Sequence, residues 1–315
     1  MSEDKQLTFS DLMDMLLRAI IDTDLNATET KKTNESMVLR MQEMFKDFIS
    51  VIPAEAMNSG DFYSKMLLKL KECGSGIPNF MEAFRKVDRS VFIPYFGSEF
   101  HEKEYKAEGK GLKKEIEGGF FEINPNNEKE LRVNPYHNLA IPIGFNATCS
   151  APHIISLYNM IADFVPEAKI FEAGTGCGYH AAVTASINPK FRVYSADITR
   201  EFQKISRENI GKLPEGRELL ERIVIGEADC AAPDNKFMLK NAPYDLIYFT
   251  FMLCEDLKVI KSAISCLKED GIVVVPWSNS RKNPRFGNLI ALSNREEGQY
   301  NLGNVGFMPA IRKSK

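Results

Sequence analysis

The chain is short of several things, and each shortage closes a door. No apolar run in its 315 residues approaches the roughly 18 needed to cross a bilayer, so no membrane-spanning helix is expected. The opening "MSEDKQ" is charged and lacks the apolar stretch of a signal peptide, which gives the expectation of a cytoplasmic protein. Six cysteines (Cys73, Cys149, Cys177, Cys230, Cys254, Cys266) show no C-x-x-C spacing, and a chain of this size does not depend on disulfides; free thiols are expected. Cys177 and His180 make a C-x-x-H pair, but no second pair completes a metal set, and none is expected. There is no surplus of either charge: 40 Lys and Arg against 43 Asp and Glu leave a formal net charge of -3. That argues against a nucleic-acid binder, and the nearest basic cluster, "KAEGKGLKK", is flanked by acids and reads as a solvated loop.

What is present is 44% apolar residues, enough for a large buried core. Residues 1–77 read as a helical extension. Met37, Met41, Met44, Phe45, Phe48 and Ile52 recur at spacings of three and four and predict a helix beginning near Asn34. Shorter stripes run through Leu12, Leu16, Ala19 and Ile20 and through Phe62, Met66 and Leu70. All are read as core or docking faces, the latter leaving room for a protein partner. Residues 78–315 then form the main domain. Asn79 and Glu82 are a capping pair for the helix "FMEAFRKVDRS", and Asp88 with Arg89 reads as an ion pair or cap. Residues 95–133 are charged and weakly patterned, an insertion of hairpin or flap character.

From residue 153 the pattern alternates. The strands "KIFEA", "RVYSAD", "RIVIG", "YDLIYFTF" and "GIVVVP" are separated by helical segments near residues 201–213 and 257–267. Crossover helices require parallel neighbours, so the expectation is an α/β, doubly wound, mainly parallel sheet with its ligand beyond the carboxyl ends of the strands.

"FEAGTGCGYH" places Gly174, Gly176 and Gly178 directly after the first of these strands. Asp197 ends the second, where a carboxylate can accept hydrogen bonds from ribose hydroxyls; Glu227 or Asp229, after the third, competes for the adenine side. A dinucleotide prefers G-x-G-x-x-G, with its pyrophosphate on the helix N-terminus. The G-x-G-x-G here, with Glu172 two residues upstream, suits S-adenosyl-L-methionine better, since that cofactor carries no phosphate. The loop "IPIGFNATCSAPHI" is harder to read: Thr148 and Ser150 either cap the helix starting near His153 or hold a ligand.

Three segments, "FMEAFRKVDRSVFIP", "NPYHNLAIPIGFNATCSAPHI" and "FEAGTGCGYHAAVTA", together with "APYD" before the fourth strand, resemble the protein-L-isoaspartate (D-aspartate) O-methyltransferase family. The resemblance implies a seven-stranded Rossmann-like methyltransferase that repairs isoaspartyl proteins or peptides. It implies that Thr148 and Ser150 line the place where methyl group and substrate carboxylate meet, Ser150 matching the serine assigned as active. It further implies that Ala147, Cys149, Glu172, the three glycines, Asp197, Ile198 and Glu227 or Asp229 surround the cofactor. Departures are Asn138 in place of the aspartate of Y-x-D, Ala228 in place of the second glycine of G-D-G, and Ile311 in place of a polar residue. They bear on substrate recognition more than on cofactor binding. Two other readings stay open: methylation of another carboxylate, and a binding protein that keeps the cofactor pocket.

Overall fold

The computed structural model describes residues 33–51, 79–105, 116–117, 119–293 and 299–311. The two short apolar stripes of the N-terminal region and the stretch "KAEGKGLKK" lie outside the described residues. Asn34–Val51 is a helix, as its spacing predicts. Met37, Val38 and Met41 are buried in the same core as the rest of the chain, and the other predicted stripe positions lie beyond the described side chains. The helix rests on a second one, Asn79–Lys86, through Asn34 Nδ2 to the Phe84 carbonyl (2.9 Å) and Arg85 to Glu35. The start of that second helix is not held by an Asn79–Glu82 pair. Asp163, from a distant helix, accepts from Phe80 N–H (3.3 Å) and Asn79 Nδ2 (3.1 Å), while Glu82 pairs with Arg85.

Within the stretch 95–133, the described residues form a small antiparallel sheet. β1 (Phe96–Gly97), β2 (Phe121–Asn124) and β3 (Asn127–Val133) lie in the order β1-β3-β2, with Phe121, Leu131 and Val133 buried. A hairpin follows, β4 (Ile141–Gly144) and β5 (Ala147–Cys149), joined by Phe145 and Asn146, both at positive φ (51° and 55°). Turns of that hand match the twist of the flanking strands.

The central sheet contains β6 (Lys169–Ala173), β7 (Arg192–Asp197), β8 (Ile223–Glu227), β9 (Tyr244–Phe249), the two-residue β10 (Leu253–Cys254), β11 (Leu267–Ser278), β12 (Phe286–Ser293) and β13 (Gln299–Gly306). Its order is β13-β12-β11-β9-β6-β7-β8, seven strands, with β10 pairing beside β11 as an eighth piece. β8, β7, β6, β9 and β11 are parallel; β12 and β13 are antiparallel additions that the sequence reading did not assign.

Both faces are covered, which is why the strands read as continuous apolar runs rather than alternations. Ile170, Leu246, Tyr248, Ile272 and Val274 pack on one side with the helices Pro152–Asp163 and Tyr179–Ile187. Phe171, Ile247, Phe249, Val273 and Val275 pack on the other, against Leu257–Ser265. The period of two along each strand sends neighbours to opposite layers. The carboxyl ends of β6, β7 and β9 are left together at one edge of the sandwich.

Candidate active site

The turn after β6 can only be made by glycine at two places. At Gly174 (φ +101°) a Cβ would sit 2.2 Å from Thr250 Oγ1, and at Gly178 (φ +88°) it would sit 2.8 Å from Ser206 Cβ. Positive φ and absent side chains let the loop pass tightly between β9 and the helix Arg200–Gly211. The loop is then pinned to β7: Asp197 Oδ2 accepts from Gly176 N–H (2.9 Å), and Oδ1 accepts from Thr199 N–H (2.9 Å). Burial pushes the Asp197 carboxyl upward, and these backbone donors, led by Gly176, pull it back.

Thr148 and Ser150 are not spent on capping. The N-cap of the helix Pro152–Asp163 is Ala151, which has no side chain to offer, and Asn138 supplies the acceptor instead: its Oδ1 takes His153 N–H at 3.0 Å and meets Nδ1 at 2.8 Å. Asp88 and Arg89 do not pair with each other. Asp88 caps a short 3-10 turn at Ser90 N–H (2.8 Å) and accepts from Tyr136 Oη (3.0 Å). Arg89 is fully buried, and its guanidinium donates to the carbonyls of Pro135, His137, Leu139 and Ser150 at 2.8–3.0 Å. One arginine thus gathers the segment 135–139 and the end of the hairpin around Ser150. Cys149 faces this clamp. Burial pushes its thiol up, but the hydrogen bond with Cys177 and the nearby Arg89 outweigh that and bring it below the usual thiol range.

A cavity opens over the glycine loop. Of the expected cofactor residues, Ala147, Thr148, Gly174, Gly176, Asp197 and Ile198 line it, together with Phe202, Cys230, Ala231, Thr250, Phe251 and Met308. A second cavity adjoins it, lined by Asn138, Thr148, Ser150, His153, Arg285 and Met308 among others. Thr148 and Met308 are common to both, so Thr148 stands at the junction and Ser150 just beyond it.

Several expected residues do not reach the first cavity. Glu172 is fully buried behind the loop, hydrogen-bonded to Ser195, which in turn meets Thr175 at 2.6 Å. Burial, with Asp197 nearby, pushes its carboxyl up to about 8, while burial drives His180, whose Nδ1 lies 3.6 Å away, down to about 3. The separation fits an ion pair, but in this dry site both groups are held neutral. Cys149 turns toward Arg89, and Gly178 packs on Ser206. Glu227 is exposed with Gln203 Nε2 at 3.5 Å, and Asp229 Oδ1 accepts from Ala231 N–H (3.0 Å), while Cys230 and Ala231 line the cavity. Thr250 and Phe251 could have been found from their place at the end of β9. Met308 carries no local signal, because Met252 N–H to the Met308 carbonyl (2.8 Å) brings it in from far along the chain.

The parallel sheet, the glycine turn and the carboxylate closing the second strand are those of a Rossmann-like fold for an adenosine cofactor, and the family match makes it a methyltransferase. The chain belongs to the protein-L-isoaspartate (D-aspartate) O-methyltransferase family, whose model matches residues 105–315. Protein-L-isoaspartate O-methyltransferase 2 of Archaeoglobus fulgidus is 31% identical over 232 residues, 72% of this chain and 83% of that protein. The Methanothrix thermoacetophila protein-L-isoaspartate O-methyltransferase is 33% identical over 186 residues, covering 59% and 81% of the two chains. In fold, the chain resembles a putative Plasmodium falciparum protein-L-isoaspartate O-methyltransferase solved with S-adenosyl-L-homocysteine (TM-score 0.54, 18% identity, 78% of this chain and 97% of that one). Among the described residues no helix is long and apolar enough to cross a membrane.

Proposed function

We propose that the chain transfers the methyl group of S-adenosyl-L-methionine to the α-carboxylate of L-isoaspartyl residues in damaged proteins or peptides. The observation that carries the reading is Thr148, common to the cavity over the glycine loop and to a second cavity containing Ser150. Family membership supports the activity, and the S-adenosyl-L-homocysteine held by the Plasmodium falciparum protein supports the cofactor.

The first cavity suits that cofactor. Among the described residues Asp197 is its one lining carboxylate and is the group offered to the ribose hydroxyls, Ile198, Phe202, Ala231 and Phe251 offer apolar walls to an adenine, and the backbone of Gly174 and Gly176 borders the rest. When bound, the cofactor supplies a methyl group on a positively charged sulfur, already a good leaving group. The acceptor carboxylate is ionised at neutral pH, so the chain has no proton to remove and needs no strong base. A C–O bond forms as the S–C bond breaks, and the products are an ester and a neutral thioether. What the residues supply is alignment and dryness: Thr148 and Ser150 donate hydrogen bonds to the carboxylate, and Arg89 fixes the backbone that carries Ser150. Such alignment of two reactants contributes on the order of 7 to 11 kcal/mol. The neighbouring backbone nitrogen then attacks the ester carbonyl and expels methanol, closing a succinimide whose hydrolysis returns part of the material to normal aspartate.

Residues 78–315 are the catalytic unit in this reading, and 1–77 an extension to it. The buried Met37, Val38 and Met41 favour a supporting role inside the fold for the stretch 34–43. A protein partner would then be met by the remainder of the extension. The function is tested by mass spectrometry of an isoaspartyl peptide incubated with protein and cofactor: a methyl ester, then a succinimide, supports it. An unmodified peptide, with cofactor bound, sinks it.

A further inference from the structure

The second cavity has an unusual charge. Among the described residues that line it there is no carboxylate; its ionisable members are Arg285 and His153. Asn138, which holds His153 at 2.8 Å, is a neutral amide. In a chain of net charge -3, such a wall is worth explaining.

Arg285 closes the loop "RKNPR" between β11 and β12, three cations in five residues. Arg281 is engaged by Glu255 at 2.8 Å. Arg285 has its carbonyl held by Phe307 N–H (2.9 Å), next to the Met308 that divides the two cavities, yet its exposed guanidinium meets no carboxylate among the described residues. Beside it Phe286, 66% exposed, is the most exposed large apolar side chain of the described residues. A cation and an aromatic face are thus presented together at the mouth of the cleft that leads to Ser150.

We propose that this mouth selects isoaspartyl sites flanked by acidic residues, with Arg285 reading the flanking carboxylate and Phe286 covering the stem of that side chain. The proposal rests on the isoaspartyl reading for the identity of the acceptor, but not for the charge preference of the cleft. The isoaspartyl α-carboxylate goes to Thr148 and Ser150, so Arg285 remains for a second anion. Because the cation is exposed and solvent screens it, the effect is a bias rather than an absolute requirement.

The test uses three fluorescent, end-blocked isoaspartyl peptides that differ only in carrying Glu, Gln or Lys on both sides of the site, so that no terminal carboxylate contributes. Wild type, Arg285→Gln and Arg285→Lys are compared for kcat/KM at low and high salt and for binding to protein loaded with S-adenosyl-L-homocysteine. The expected order is Glu over Gln over Lys, about threefold to fivefold between neighbours at low salt and compressed at high salt. Arg285→Gln erases the Glu–Gln difference, and Arg285→Lys restores part of it. A Glu–Gln difference that survives Arg285→Gln, or three peptides treated alike by wild type, overturns the proposal. If no peptide accepts methyl, the isoaspartyl reading has failed; the binding data then decide the role of Arg285 by the same two criteria.

Discussion

Gly176 N–H donates to Asp197 Oδ2 at 2.9 Å, joining the loop after the first parallel strand of the sheet to the end of the second. One carboxylate therefore fixes the loop's shape and borders the cavity. Asp197→Ala removes both contributions at once. The expected result is cofactor binding weakened about tenfold to a hundredfold, the loss of about 1.5–3 kcal/mol that goes with a hydrogen bond to a charged group. Calorimetric titration with S-adenosyl-L-methionine measures it, and an unchanged Kd would remove Asp197 from the site.

Ser150 borders the second cavity and not the first, whereas Thr148 borders both. Ser150→Ala is expected to leave cofactor affinity within about twofold and to lower kcat by about tenfold, the loss of roughly one hydrogen bond. Thr148→Ala should lower both. Cofactor titration beside initial rates separates the two variants, and equal loss of both quantities in each would contradict their placement.

The parallel strands were legible because burial on both faces leaves unbroken apolar runs between turns, as in "GIVVVP". The glycine loop and Asp197 were legible because their chemistry is local. Glu172 misled: its place two residues before Gly174 fits a cofactor contact, but its side chain points into the layer holding Ser195 and His180, which no spacing reveals. The antiparallel pair β12–β13 was missed because its strands carry Gly287, Asn288, Asn301 and Asn304, which break the period of two. Asn138 and Asp163 act as caps from far along the chain, and capping patterns in sequence are local by construction.

Gly174→Ala is expected to destabilise the fold by about 1–3 kcal/mol, because the new Cβ would lie 2.2 Å from Thr250 Oγ1 at a φ of +101°. Gly211→Ala, where a Cβ meets nothing nearer than 3.9 Å, is the control and should be neutral or slightly stabilising. Thermal melts of the two variants check the contrast; equal melting temperatures would refute it.

Glu172 titrates at about 8 in the fold against 4.5 when exposed, so between those values the native state holds a proton that the unfolded chain has released. Its contribution to stability is present in full below the lower value and is lost as pH rises toward the upper one, with a slope of up to about 1.4 kcal/mol per pH unit. Glu172→Gln keeps a hydrogen-bonding partner for Ser195 and does not titrate. Urea unfolding across this window should fall more steeply with pH for wild type than for the variant. Parallel slopes would show that Glu172 is charged in the fold.

The most direct test of the account is transfer of labelled methyl from S-adenosyl-L-methionine to an isoaspartyl peptide, with the aspartyl peptide of identical sequence as control. The account predicts label in the isoaspartyl peptide alone, released by mild base as a methyl ester is, and reduced in Ser150→Ala. Label in both peptides alike, or in neither while the protein binds cofactor, would contradict it.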